Sequence, residues 1–129
     1  MAISNIHETL LMYTKQKAVI SNQLSDNMMQ MLNSSKQVAE EQAKYNNVVS
    51  DIYYNYYESD PENYEILIER AEQEHELSLA NLNSWEQEIE LEKNDLETKL
   101  NEINAYESTW IKMLQNYIKV DFSYGGVSQ

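Results

Sequence analysis

From Met1 to Tyr124 the chain contains no glycine and a single proline, Pro61; both of its glycines are Gly125 and Gly126. Chain reversals draw on Gly and Pro because those residues supply positive or pre-set φ angles. A β-sandwich or a doubly wound sheet needs many such reversals. This sequence offers one in the middle and one at the end, so nearly all of it is expected to be helix.

Hydrophobic spacing agrees. Counting in sevens from Ile3 meets Leu10, Lys17, Leu24, Met31, Val38, Tyr45 and Ile52, apolar or aromatic in all but Lys17. A companion line through Ile6, Tyr13 and Ile20 turns polar at Asn27, Ser34 and Glu41, then returns at Val48; Met28, Val49 and Tyr56 widen the same face. From Ile68 the sevens are His75, Leu82, Ile89, Leu96, Ile103, Trp110 and Tyr117. Their companions are Ala71, Ser78, Trp85, Glu92, Lys99, Tyr106, Met113 and Val120, flanked by Leu79, Leu100 and Leu114. A heptad sustained this long marks coiled-coil-like helices rather than strands.

Ser59-Asp60-Pro61-Glu62 separates the two stripes. Asp60 can cap a second helix, Pro61 suits its first position, and Glu62 and Glu65 meet the positive end of its dipole. The residue before a proline disfavours helix, so the first helix should stop near Glu58. The expected architecture is all-α: a long antiparallel two-helix hairpin forming one domain over 1–120, with helix 3–58, turn 59–61 and helix 62–120. Residues 121–129 are expected as an extended tail. Each helix of about 55 residues would run roughly 80 Å. Folding at the turn sets residue i beside about residue 119 − i. Ser34 then meets Trp85, Lys17 meets Glu102 and Asn27 meets Glu92. An alternative breaks the helices at "LNSSKQ" (32–37) and "EKNDLE" (92–97) to form a compact four-helix bundle. Neither stretch contains Gly or Pro, which favours continuity.

A two-helix hairpin encloses no core, and with no cysteine in the chain no disulfide can compensate. Oligomerisation into a helical bundle, or a helical partner protein, is the expected remedy. The stripe residues to carry it are Leu10, Leu24, Met31, Val38, Leu82, Trp85, Ile89, Leu96, Ile103 and Trp110. Tyr53, Tyr54, Tyr56, Tyr57 and Tyr64 crowd the turn. They either cover the open end of the helix pair or form a contact patch, because Tyr offers large amphipathic area at low entropy cost. Phe122 and Tyr124 alternate with polar residues in the tail, which either folds back on Ile3 and Ile6 or docks on a partner.

Charge narrows the function classes. The net −13 opposes phosphate-backbone and anionic-lipid binding. Residues 60–97 hold thirteen acids against Arg70 and Lys93. That block reads as a solvated helix face, or as a surface for a basic client. No nucleic-acid partner, membrane span or small-molecule substrate is expected, and no cofactor. Residues 1–16 lack the basic start and apolar core of a cleaved signal peptide. A cytoplasmic protein is the default expectation, with export lacking such a signal as the alternative.

Catalytic patterns are scarce. There is no Gly-rich phosphate loop, nucleophile elbow or Cys nucleophile, so no enzyme is expected. Glu72-x-x-His75 has the Glu-x-x-His spacing of di-metal carboxylate bundles, and Glu41 falls near its level. A dimer would supply two such motifs and two more glutamates. Eleven of the 38 residues in 60–97 are Glu, so this spacing arises readily by composition. Tyr117-x-x-x-Asp121 resembles the Tyr-x-x-x-Asp/Glu export signal that follows the helical hairpin in the Trp-x-Gly family of type VII secretion substrates. That family's Trp-x-Gly turn is absent: the turn here is Ser-Asp-Pro, and Trp85 precedes Glu86 and Gln87. The five residues imply no more than a route of export, and family membership is not carried over. Small acidic helical subunits and secretion chaperones are similar only in general character. The expected function is a non-enzymatic structural or assembly subunit working through self-association. A small acidic adaptor or secretion-type chaperone comes second, and the dimeric di-metal bundle third.

Overall fold

A computed structural model describes the backbone of residues 3–127 and the side chains of residues 3–121. It is an all-α helical hairpin of two long helices packed against each other, without strands among the described residues. Helix α1 runs Ile3–Tyr56 and α2 runs Pro61–Val127. Both pass without interruption through 32–37 and 92–97, so the broken-helix bundle does not form. Asn and Ser cost little inside a helix when the apolar stripe on either side stays in phase.

The connection needs no glycine, because no described residue has positive φ. At the end of α1 the Asp60 N–H donates to the Tyr56 carbonyl at 2.9 Å, and the Ser59 hydroxyl donates to the Asn55 carbonyl at 2.8 Å. Two carbonyls that a helix end would leave open are thereby satisfied. On the other side the Asn63 N–H donates to Asp60 Oδ1 at 3.3 Å, the N-cap read from the sequence. Pro61 is the first helical residue, where its missing N–H costs nothing.

Two boundaries differ from expectation. Helix α1 stops at Tyr56, two residues early, because Ser59 and Asp60 close its last turn. Helix α2 runs on to Val127, so residues 121–127 are not extended. The period-two alternation at 120–124 lacked any neighbouring strand to pair with, and adding residues to an existing helix is far easier than starting one. Lys119 is consequently interior to α2.

The chain divides into two compact units, one of residues 27–92 around the turn and one of residues 1–26 with 93–129. In the turn unit α1 and α2 run antiparallel through Tyr57–Tyr64, Tyr45–His75 and Asn27–Ile89. The first two pairs have residue numbers summing close to 119, the register drawn from the sequence; Asn27 instead bonds to Ile89, three residues before the expected Glu92, which stays exposed. In the other unit Tyr13 stacks on Tyr106 in the same register, with centroids 6.3 Å apart. Lys17 departs from expectation. Its Nζ binds Glu107 Oε1 at 2.8 Å rather than Glu102, since the long side chain reaches along α2 to a half-buried acceptor.

The seam includes residues that the stripe count treated as its weak middle. Asn27 and Ser34 are only 3% and 1% exposed, alongside Ile6 and Ile20 on the same line. The polar companions in α1 thus lie in the contact, not beside it. All ten expected stripe residues are buried or half-buried, with Ile89 and Leu96 fully covered and Leu24 half-buried. The companion line of α2 does not hold throughout. Ala71, Ser78 and Trp85 are covered, but Lys99, Tyr106, Met113 and Val120 are exposed. Leu100, Glu107 and Leu114, each one position later, take the place of Lys99, Tyr106 and Met113; in α1 Val49 replaces Val48 in the same way. Seven residues of a 3.6-residue helix fall about 20° short of two turns. After several heptads the next position along therefore points at the neighbour.

Candidate interaction surfaces

Four features of the described residues are candidates for contact with other molecules. The first is the aromatic turn. Tyr57 lies over Tyr53 with ring centroids 4.8 Å apart, and Tyr64 meets Tyr57 edge-on at 5.2 Å and Tyr53 at 6.4 Å. This three-ring cluster ties the last turns of α1 to the first turn of α2. Aromatic pairs contribute about 0.5–1.5 kcal/mol each beyond area burial. Tyr56 lies on the seam side and is half-buried. Tyr54 differs: its one aromatic neighbour among the described residues is Tyr53, edge-on at 5.7 Å, and it is 82% exposed. The five tyrosines therefore do two things. Four of them face one another or the seam, and Tyr54 faces water.

The second lies mid-way along the turn unit. His75 stacks on Tyr45, with centroids 4.1 Å apart and planes 11° from parallel, and its Nδ1 stands 3.3 Å from Glu41 Oε1. Both members of the His–Glu pair are largely covered. The sequence placed Glu41 near the level of His75, and the fold brings them into contact. Glu72 stays exposed, and among the described residues no group of three potential ligands is assembled that could hold a metal. The Glu72-x-x-His75 spacing puts its two members on adjoining faces, and in one chain only His75 and Glu41 converge. The imidazole, stacked against one phenol ring and 3.3 Å from a carboxylate oxygen, fills a heptad position of the seam.

The third surface was not picked out from the sequence. In the unit formed by residues 1–26 and 93–129, an open groove of about 790 Å3 runs along the helix pair. Its apolar wall comes from Leu11, Met12, Val19, Ile20, Ile103 and Tyr106. Leu11, Met12, Val19 and Tyr106 are all 45% or more exposed. The signal was present in "LLMY" (10–13), where apolar residues continue past the stripe and around the helix. A two-line heptad count discards such residues as surplus.

The fourth is charge, and it is partitioned. Residues 27–92 carry fifteen Asp and Glu against three Lys and Arg, a net of −12. Residues 1–26 and 93–129 carry seven against six, a net of −1. Within 27–92 the ion pairs among described residues are Lys36–Glu40 at 3.9 Å, exposed, and His75–Glu41. The other acids of that unit form no ion pair among the described residues.

Phe122 and Tyr124, the tail residues expected to make contacts, lie outside the residues whose side chains are described. Among the described residues no helix is long and apolar enough to cross a membrane. Comparisons with known protein families, curated proteins and solved structures find no match.

Proposed function

We propose that this chain is a non-enzymatic assembly subunit, a helical hairpin that works by packing against further copies of itself or against other helical chains. The supporting observation is how little it covers alone. Its accessible surface is 9714 Å2. A compact monomer of 15.2 kDa would expose about 7,100 Å2. The excess of about 2,600 Å2 is larger than one partner's share of a standard interface, about 800 Å2. Among the described residues only Ile6, Ile20, Ala71, Ile89 and Leu96 form the buried apolar core, while eighteen large hydrophobic residues are exposed. Where such residues adjoin in a contiguous patch, another chain normally covers them. The test is the mass in solution by light scattering across a dilution series. Association that persists into the low micromolar range supports the reading, and a stable monomer throughout contradicts it.

A second reading draws on the unpaired acids of residues 27–92. A basic segment of another protein, held by an adaptor or export chaperone, would neutralise that surface. Such a complex weakens steeply with salt, because exposed charges are screened within about 8 Å at physiological ionic strength. Apolar self-assembly does not weaken in this way. Titrating salt against complex mass therefore distinguishes the two.

A further inference from the structure

Resting on the self-assembly reading, we infer that the occupant of the Met12–Val19–Tyr106 groove is a second copy of this chain, bound two-fold through residues 3–26 and 93–121, with residues 27–92 of both copies left outside the contact.

Three observations converge on that face. The first is apolar content. Leu11, Met12, Val19 and Tyr106 stand exposed along one open groove whose floor is Ile20 and Ile103. A helix pair that leaves such a groove in water gains by burying it, because apolar surface removed from water is stabilising.

The second is charge. Two copies meeting through residues 27–92 would bring surfaces of net −12 together, whereas the groove unit is nearly neutral at −1. Like charge opposed at an interface disfavours contact, so the near-neutral unit admits a second copy more readily without a counter-charge. A basic partner is drawn to the opposite choice.

The third is self-complementarity. A two-fold contact uses the same patch on both copies, so the patch must carry both halves of each pairing. The groove lining holds Glu8 and Lys15 on α1 and Lys99 and Glu102 on α2. Lys99 already binds Asp95 of its own helix at 3.0 Å. Glu8, Lys15 and Glu102 have no ion pair among the described residues, so Lys15 of each copy can meet Glu8 or Glu102 of the other. The polar rim around an apolar centre is the anatomy expected of an interface.

The experiment compares the parent chain with two double variants by light scattering and sedimentation over a 1000-fold concentration range. Helicity is followed by circular dichroism. Val19→Glu with Tyr106→Glu puts two carboxylates into the groove. Leu77→Glu with Leu91→Glu makes the same change at exposed apolar positions of the acidic unit. The groove pair is expected to raise the dissociation midpoint by 100-fold or more at parental helicity, and the control pair to move it less than fivefold. Because the chain has no cysteine, Val19→Cys and Leu77→Cys each carry a unique label. Pyrene on Val19→Cys is expected to give excimer emission in the associated state, and on Leu77→Cys none. If the groove pair loses helicity, this readout decides in its place. An associated parent with an unmoved midpoint in the groove variant, or with excimer from residue 77 alone, overturns the groove assignment and leaves self-assembly standing. A parent that stays monomeric overturns both.

Discussion

Asn27 is the position at which stability and register can be separated by experiment. Its Nδ2 donates to the Ile89 carbonyl at 2.8 Å from a site only 3% exposed. Ile89 lies inside α2, so the same carbonyl also accepts the helical N–H of Lys93. Removing the amide therefore orphans nothing on α2. Asn27→Ala loses a buried hydrogen bond, worth about 1 kcal/mol net. It also opens a small void where the rest of the side chain packed, for which about 1 kcal/mol more is reasonable. Ala is the better helix former by several tenths of a kcal/mol, which offsets part of the loss. The sum is a destabilisation of about 1–2 kcal/mol, or roughly 3–10 °C in Tm for a chain of this size. Asn27→Leu follows a different course. It fills the site, buries apolar area and breaks no obligatory bond, so Tm should rise by a few degrees. A lone polar residue in an apolar seam costs stability while restricting how the helices slide and associate. The Leu variant should accordingly show a broader mass distribution by sedimentation and extra amide peaks from alternative registers. Thermal circular dichroism supplies the first readout, and sedimentation with two-dimensional NMR the second. Equal losses of Tm in both variants would refute the reasoning, since a fully compensated carbonyl leaves no cause for the Leu variant to lose stability. A stabilised Leu variant with one register and one mass would refute the register role alone.

Further expectations concern individual side chains. Ser34 Oγ is buried with no hydrogen-bond partner, so Ser34→Ala should stabilise by about 1 kcal/mol, seen as a higher urea midpoint; a loss of similar size would show that the hydroxyl is bonded after all. Glu107→Gln should cost about 0.5–1 kcal/mol, and the cost should shrink in high salt because Lys17 is partly exposed. Glu102→Gln should cost nothing measurable in stability of the dissociated chain; the reverse ranking would restore the register in which Lys17 meets Glu102. At the turn, Tyr57→Ser or Tyr64→Ser should lose about 1–2 kcal/mol with the three-ring cluster, while Tyr54→Ser should leave Tm within experimental error. If Tyr54→Ser abolishes binding to a partner at unchanged helicity, that ring is a docking residue; a collapse of folding would show instead that it belongs to the cap.

Much of the fold was legible residue by residue. The lack of Gly and Pro excluded sheets, the heptads from Ile3 and Ile68 located both helices, and Asp60-Pro61 placed the reversal and its cap. These are local properties: backbone freedom, periodicity and the first turn's hydrogen bonds depend on neighbours within a few positions. The chain's charge and its partition also belong to the sequence alone, although the boundary at residues 26–27 and 92–93 that makes the partition sharp emerges only from the packing.

The tertiary structure decided what no single helix specifies. Asn27, Ser34 and Glu41 counted as gaps in a stripe until α2 covered them, because burial is set by the neighbour's surface and not by a residue's own polarity. The seam's shift from Tyr106 to Glu107 arises from the mismatch between 3.6 and 3.5 residues per turn, a small angle that matters only when summed along a long contact. The same shift turns Tyr106 outward and leaves the groove beside Val19 open. Local spacing established that two helices would meet; only their packing determined which residues were left for another chain.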